Sequence, residues 1–362
     1  MRVEVVSASR EMFGSDRSAV RLAELLEQIG HEARLAVPAA RAELGLGRLA
    51  ADRGLRVEPA PVVIASSRGL EGIARSLASR ARSDAELTIY NSSAVVARRG
   101  DRRPRVLILR EWLNPAWRPH RALSALHARR VDAVVAVSNG VAERWRACVG
   151  GSAVPVQVCP NWLEQGWLED YARVDREGVL FVGRLNAWKG HWALVEAFEQ
   201  AFASPRPQPS LTFLGAEAAS SPFHREATRL AARCRRAGWR LLPFSSTPGE
   251  AMRRAALVVV PSQRPEPFGN VIVEALASGA RVLAFPGGGV DDLAPLFGGA
   301  LEVVERDPRA LSAALARWSD EGSAAQASAE RERVLATLRA RFTAEAAAPC
   351  WREVLERVSR AG

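Results

Sequence analysis

Strand-like and helix-like patterns alternate from one end of the chain to the other, and this alternation most constrains its fold. Short β-branched runs, separated by stretches with apolar residues every three or four positions, mark βαβ units built around parallel sheets. In the first part of the chain, strands are expected at Val3–Ala8, Ala33–Val37, Leu87–Tyr90, Val106–Leu109, Ala133–Val137 and Val156–Val158. Helices are expected at Ser18–Ile29, Leu70–Ser79, Pro119–Arg129 and Gly140–Ala147. An irregular, tryptophan-bearing stretch follows. The alternation then resumes with strands at Val179–Leu185, Leu211–Leu214, Arg240–Pro243, Leu257–Val260, Arg281–Ala284 and Leu301–Val304. Helices are expected between them at His191–Ala203, Pro222–Ala237, Pro248–Ala255 and Asn270–Ser278, and two Ala/Arg-rich helices close the chain. The expected organisation is a domain over 1–160, a linker over 161–177, a domain over 178–343, and a C-terminal helix, 344–362, packing back on the first domain. Two doubly wound domains in tandem put ligand crevices at the C-terminal ends of their strands.

Composition narrows the function. A chain of 362 residues suits two domains of ordinary size. With 48% hydrophobic and 25% charged residues it is not a disordered chain. Its aliphatic runs are far too short to span a bilayer, and Met1–Ser7 alternates like a buried strand, unlike a secretory signal. Cys148, Cys159, Cys234 and Cys350 have no Cys-x-x-Cys spacing, so they read as packed or free thiols of a cytoplasmic protein. The net charge of +10 calls for an anionic partner such as phosphate, pyrophosphate or a lipid headgroup. It does not form a basic tail or a basic-aromatic repeat, so nucleic acid is not expected as a partner.

Two local patterns carry chemistry. In Gly183-Arg184-Leu-Asn-Ala-Trp-Lys189-Gly190 a strand ends, two cations follow, and a helix begins. Cations beside free helical N–H groups make an anion site. Lys189 is the single lysine among 50 basic residues. A compact ammonium kept in an otherwise all-arginine background points to a use that a planar guanidinium does not serve. The second pattern is Glu266-Pro-Phe268-Gly269-Asn270-Val-Ile-Val-Glu274, where the chain breaks after a strand and re-enters a helix near Asn270. Glu266 precedes that helix and Glu274 lies about one turn inside it. Both carboxylates suit recognition of sugar or ribose hydroxyls. The chain has no Walker A, Gly-x-Gly-x-x-Gly, His-Glu-x-x-His or Gly-x-Ser-x-Gly pattern, and no Asp-x-Asp that would clamp a divalent metal on a pyrophosphate.

Taken together, Arg184 with Lys189-Gly190 and the Glu–seven residues–Glu pair resemble the retaining glycosyltransferases of family four, which have the α/β GT-B architecture of two Rossmann-like domains facing each other across a cleft. The resemblance extends through Pro261-Ser262, Glu274-Ala275 and Gly287–Gly289, and in the first half to Gly14-Ser15-Asp16-Arg17, with weaker matches at Ser138 and Asn161. It implies that Arg184, Lys189 and Glu266 are catalytic, the cations holding the donor pyrophosphate and Glu266 gripping the donor sugar. It further implies that Gly14, Ser15, Phe268, Gly269, Asn270 and Glu274 bind the donor, Glu274 at the ribose, with no metal and no cofactor. Many members carry a histidine after the fourth strand of the first domain. Here that place reads Arg110-Glu111-Trp112, and Arg110, Glu111 and Ser138 are expected on the acceptor side.

The expectation is therefore a cytoplasmic, retaining, metal-independent enzyme that moves a sugar from a nucleotide-sugar donor to a glycan, lipid-linked or small-molecule acceptor. A peripheral contact with the anionic inner membrane face accompanies it, since Trp112, Trp117, Trp162, Trp167, Trp188 and Trp192 fall in or beside predicted loops. A GT-B epimerase is the rival enzymatic reading, and the glutamate pair speaks against it. A nucleic-acid-binding or scaffold protein is the rival from another class, suggested by charge alone.

Overall fold

The computed structural model describes residues 1–7, 14–38, 45–60, 84–95, 104–151, 153–164, 166–169, 175–203, 207–216, 223–245, 247–321 and 326–361. The expected helix Leu70–Ser79 lies outside these residues. Met1–Trp162 together with Ala344–Gly362 form one compact unit, and Leu163–Thr343 form a second. Asn161 and Trp162, at the start of the stretch read as a linker, thus belong to the first unit.

In the first unit seven parallel strands are described: β1 (Arg2–Val6), β2 (Glu32–Pro38), β3 (Arg56–Ala60), β4 (Leu87–Tyr90), β5 (Arg105–Leu109), β6 (Ala133–Ala136) and β7 (Val156–Val158). They lie in the order β3-β2-β1-β4-β5-β6-β7. Every residue of β4, β5 and β6 is buried. A strand covered on both faces reads as a continuous apolar run, and that is why Val106–Leu109 and Ala133–Val137 were visible in the sequence. Helices α1 (Gly14–Gln28), α2 (Leu46–Asp52), α3 (Arg118–Ala128) and α4 (Asn139–Val149) follow individual strands. Ser138 caps α4, its hydroxyl accepting from Val141 N at 3.3 Å, and Gly150 ends it in the left-handed conformation.

Strand β3 and helix α2 have no counterpart in the sequence reading. Strand β3 sits at the sheet edge, where a proline and charged residues are tolerated because one side of the ladder is open. Its sequence, Arg-Val-Glu-Pro-Ala, therefore hides the pattern.

The second unit has a six-stranded parallel sheet: β8 (Val179–Val182), β9 (Leu211–Ala216), β10 (Arg240–Pro243), β11 (Leu257–Val260), β12 (Arg281–Ala284) and β13 (Leu301–Val303), in the order β10-β9-β8-β11-β12-β13. Its described helices are α5 (His191–Ala201), α6 (His224–Ala237), α7 (Gly249–Arg254), α8 (Asn270–Ser278), α9 (Gly289–Phe297), α10 (Pro308–Asp320) and α11 (Ser328–Arg341). Phe181, Phe198, Phe213, Trp239, Leu194 and Trp318 fill the core beside the sheet, with Phe198 edge-on to Trp239 at 5.5 Å between ring centres. Helix α9 was not expected, because the glycines at its start and Pro295 within it read as chain breakers.

Beyond Leu301 three helices are found among the described residues, where two were expected. The last, α12 (Ala344–Ala361), rejoins the first unit. It buries Trp351, Val354, Leu355 and Val358, and Glu353 accepts from Gln157 Nε2 at 2.8 Å. Cys350 on α12 is disulfide-bonded to Cys159, just past β7, across a sequence separation of 191. This corrects the reading of all four cysteines as thiols. No local spacing announces the pair, because only the return of α12 to the first sheet brings the two together. Cys148 and Cys234 are free and buried.

A cross-link closing so long a loop restricts the unfolded chain, and losing one typically costs about 2–5 kcal/mol. Dithiothreitol, or the pair of substitutions Cys159→Ser and Cys350→Ser, should lower the urea midpoint of the first unit by a corresponding amount. Urea titrations with and without reductant, followed by fluorescence, check this, and the double variant should no longer respond to reductant.

Candidate functional site

The order of the second sheet fixes where a ligand can sit. From β8 the chain winds outward through β9 and β10, then returns to β11 on the other side of β8 and winds outward again. Strands β8 and β11 therefore flank the topological switch point, and the loops at their C-terminal ends border the crevice such sheets offer to ligands. The first loop carries Arg184 and Lys189, and the second carries Glu266, Phe268 and Gly269.

The cation loop is shaped by Asn186. Its side-chain oxygen accepts from Lys189 N at 3.1 Å, capping a short 3₁₀ turn over Ala187–Lys189. Gly190 ends that turn at φ 77°. A Cβ there would stand 1.8 Å from the carbonyl oxygen of Pro261, so only glycine permits both the backbone angle and the contact. Gln263 N donates to Trp188 O at 2.6 Å, fastening the two loops a second time. Lys189 Nζ lies 4.1 Å from the centre of the Trp188 ring and 2.7 Å from Glu266 Oε1. The lone lysine and the first glutamate of the pair, far apart in sequence, are thus ion-paired. Glu266 is 7% exposed, and Ser262 Oγ donates to the same Oε1.

The carboxylate loop is pressed from behind by the glycine run. Gly289 N donates to Glu266 O at 2.8 Å, and a Cβ on Gly289 would fall 2.2 Å from Phe268 O. Gly269, at φ 100°, starts α8 with no side chain capping it. Asn270 opens α8, and Glu274 stands half-buried one turn further on. Arg184 is half-buried just past β8.

The first unit has its own switch point, between β1 and β4. Gly14 and Ser15 open α1 after β1. Nearby, the buried Asp16 accepts from Ser7 Oγ at 3.2 Å. Arg110 and Glu111 follow β5, and their side chains take different partners. The Arg110 guanidinium donates from Nε to Asn91 Oδ1 at 3.0 Å and from Nη1 to Asn161 Oδ1. Burial, and then the neighbouring Arg21 cation, push its pKa down to about 9, against the pull of Glu111 and Asp16. It remains charged at neutral pH. Glu111 accepts from Ser92 Oγ at 2.5 Å, Ser93 N at 3.1 Å and Ser93 Oγ at 2.8 Å. Ser138, expected on the acceptor side, is 1% exposed, with its hydroxyl engaged in the α4 cap. Asn91, Ser92, Ser93, Asn186 and Gln263 escaped the sequence reading, and Ser262 entered it only as part of the family resemblance, with no role attached. Their shared signal is a polar residue directly after a buried strand or at the turn beyond it.

Two outcomes test this geometry. Gly190→Ala should separate the two loops and weaken phosphate-ligand binding at least tenfold, while the second unit stays folded. Calorimetry and circular dichroism on the variant measure the two effects. In the first unit, the buried ring of His127 donates from Nε2 to Ser93 O at 3.0 Å, and burial lowers its pKa from 6.5 to about 4. Between those values the unfolded chain binds the proton and the folded one does not. Stability of the first unit is therefore full above about pH 6.5 and falls as pH drops to about 4, by on the order of 3 kcal/mol. His127→Gln should flatten that part of a pH-stability profile measured in urea.

Residues 169–334 match the family model described as "Glycosyl transferases group 1". A search of curated proteins gives no match. Among solved structures, HepE from Anabaena in complex with UDP and glucose superposes with a TM-score of 0.77 at 19% identity, covering 98% of this chain and 99% of that one. Sucrose-phosphate synthase from Thermosynechococcus elongatus gives 0.80 at 17% identity over 100% of both chains. A glycosyltransferase from Rickettsia africae gives 0.72 at 15% identity, covering 100% of this chain and 99% of that one. The two Rossmann-like sheets thus make the GT-B fold, and the unit that holds Arg184, Lys189, Glu266 and Glu274 is the one that matches the group 1 glycosyl transferases.

Proposed function

We propose that the protein is a retaining glycosyltransferase of family four that moves a sugar from a nucleotide-sugar donor to a hydroxyl-bearing acceptor without a metal ion. The observation that carries this reading is the meeting of Lys189 and Glu266 at the switch point of the unit matching the glycosyl transferase model. The relatives crystallised with UDP, glucose and UDP-glucose support a nucleotide-sugar donor.

In this reading Arg184 and Lys189 hold the donor pyrophosphate and neutralise the charge that builds on it as the glycosidic bond breaks. Lys189 exchanges its contact with Glu266 for a phosphate oxygen. The backbone N–H groups of Phe268, Gly269 and Asn270 face the donor, Glu266 grips the sugar being transferred, and Glu274 binds the ribose. Gly14 and Ser15 bring the start of α1 to the diphosphate. Arg110 and Glu111 stand where many members place a histidine, and they border the acceptor.

The acceptor is a glycan or a lipid-linked saccharide, reached through peripheral contact with an anionic membrane. Helix α3 supports that contact: Arg118 and Arg121 are exposed on it, Arg129 is exposed just after it, and Trp117, just before it, is 40% exposed. Between α3 and α4 lies a groove of about 820 Å³ lined in part by Ala122, Ala125 and Cys148. No described helix is long and apolar enough to cross a membrane.

A panel of nucleotide sugars assayed for transfer and hydrolysis, with and without excess chelator, tests the reading. Turnover that persists in chelator is expected, and turnover restored only by magnesium or manganese overturns the metal-independent step. The two glutamates should then fail differently. Glu274→Ala should weaken binding of the free nucleoside diphosphate about tenfold or more, whereas Glu266→Ala should leave that binding near native and collapse kcat. Calorimetry beside initial rates separates the two, and the reverse pattern would exchange their roles.

A further inference from the structure

The two donors that hold Glu266 fall on one oxygen. Lys189 Nζ and Ser262 Oγ both meet Oε1, and among the described residues none donates to Oε2. The carboxylate is therefore clamped by one edge with the other edge open. Ser262 is itself 3% exposed and held at its other end, where Arg306 Nε donates to its carbonyl oxygen at 3.2 Å. A second Arg306 nitrogen donates to Pro286 O, tying the loops after β11, β12 and β13 together. The serine hydroxyl thus sits on a fixed backbone, buried against a buried carboxylate.

From this geometry we infer that Ser262 is the positioning residue of the donor site, keeping Oε2 of Glu266 aimed at a hydroxyl of the transferred sugar. The inference rests on the glycosyltransferase reading and adds a residue to it. When a diphosphate draws Lys189 away, Ser262 is the remaining described donor on Glu266. Without it the carboxylate rotates about its Cγ–Cδ bond and the sugar loses its fixed partner. A charge-assisted hydrogen bond held in a buried site fixes the acceptor far better than solvent does. Ser262 acts on the sugar end of the donor, through Glu266, and leaves the nucleotide end alone.

A double-mutant cycle tests this with the full chain. Ser262→Ala should lower kcat about tenfold, with nucleoside diphosphate affinity by calorimetry within twofold of native. The affinity gained by an intact nucleotide sugar over the free nucleoside diphosphate should shrink. Ser262→Thr, which restores the hydroxyl, should recover most of kcat. In a Glu266→Gln background, adding Ser262→Ala should change kcat by less than twofold, because the serine has lost the charge it orients. Native turnover in Ser262→Ala, an undiminished effect in the Glu266→Gln background, or loss of nucleoside diphosphate binding in Ser262→Ala would each overturn the inference while the native enzyme still transfers sugar. A native protein that binds no nucleotide sugar would instead sink the glycosyltransferase reading, and this inference with it.

Discussion

The contact between Gly190 and the carbonyl of Pro261 holds the candidate site together. Two adjacent central strands, β8 and β11, end side by side, but neighbouring strands do not oblige the loops beyond them to touch. Here they touch because residue 190 has no side chain and accepts a left-handed φ. From that approach follow the Gln263–Trp188 backbone bond, the seat of Lys189 above the Trp188 ring, and the pairing of Lys189 with Glu266. A larger residue at 190 removes the common origin of all three. The ion pair alone does not explain the arrangement. The attraction within a buried pair is largely offset by the cost of taking both charges out of water, and it is the backbone that sets their distance.

A similar economy governs the other side of Glu266. Gly289 lies against Phe268 with no room for a methyl group, and the glycine run becomes a wall behind the carboxylate loop. Side chains then finish what the backbone begins. Asn186 closes the lysine turn, and Ser262 holds the glutamate. In the first unit the same division recurs in a more polar form. Asn91 and Asn161 carry the Arg110 guanidinium, while Ser92 and Ser93 carry Glu111, so that a cation and an anion adjacent in sequence are each fixed by separate neutral partners.

What was legible in the sequence tracks what is locally determined. Strands buried on both faces, such as β5 and β11, announce themselves as apolar runs. The Arg184–Lys189 loop and the Glu266–Glu274 pair stand out because charge at a strand end has no packing role to explain it. Strand β3 was missed because an edge strand tolerates proline and charge, and α9 because glycine and proline at its start and interior signal a break. Ser262 stood out only within the family resemblance and Asn186 not at all, since a serine or asparagine after a strand is the ordinary composition of a turn. The disulfide was the least legible feature. Its partners meet through the path of the whole chain, and no window of sequence contains that information.

That path has a consequence for how the molecule comes to be made. The first unit is interrupted: its chain leaves at Trp162, builds all of the second unit, and returns at Ala344. A ribosome adds roughly 5–20 residues per second, so the first sheet waits about ten to forty seconds for the helix that covers it. Cys159 spends that interval without its partner. Cys148 is synthesised before it and Cys234 next after it, and both reach the nascent chain sooner than Cys350 does. The native cross-link therefore joins cysteines that are not neighbours in the order of synthesis. In the folded units Cys148 lies buried on α4 and Cys234 on α6, so neither free thiol is presented to Cys159 as a competitor of its true partner.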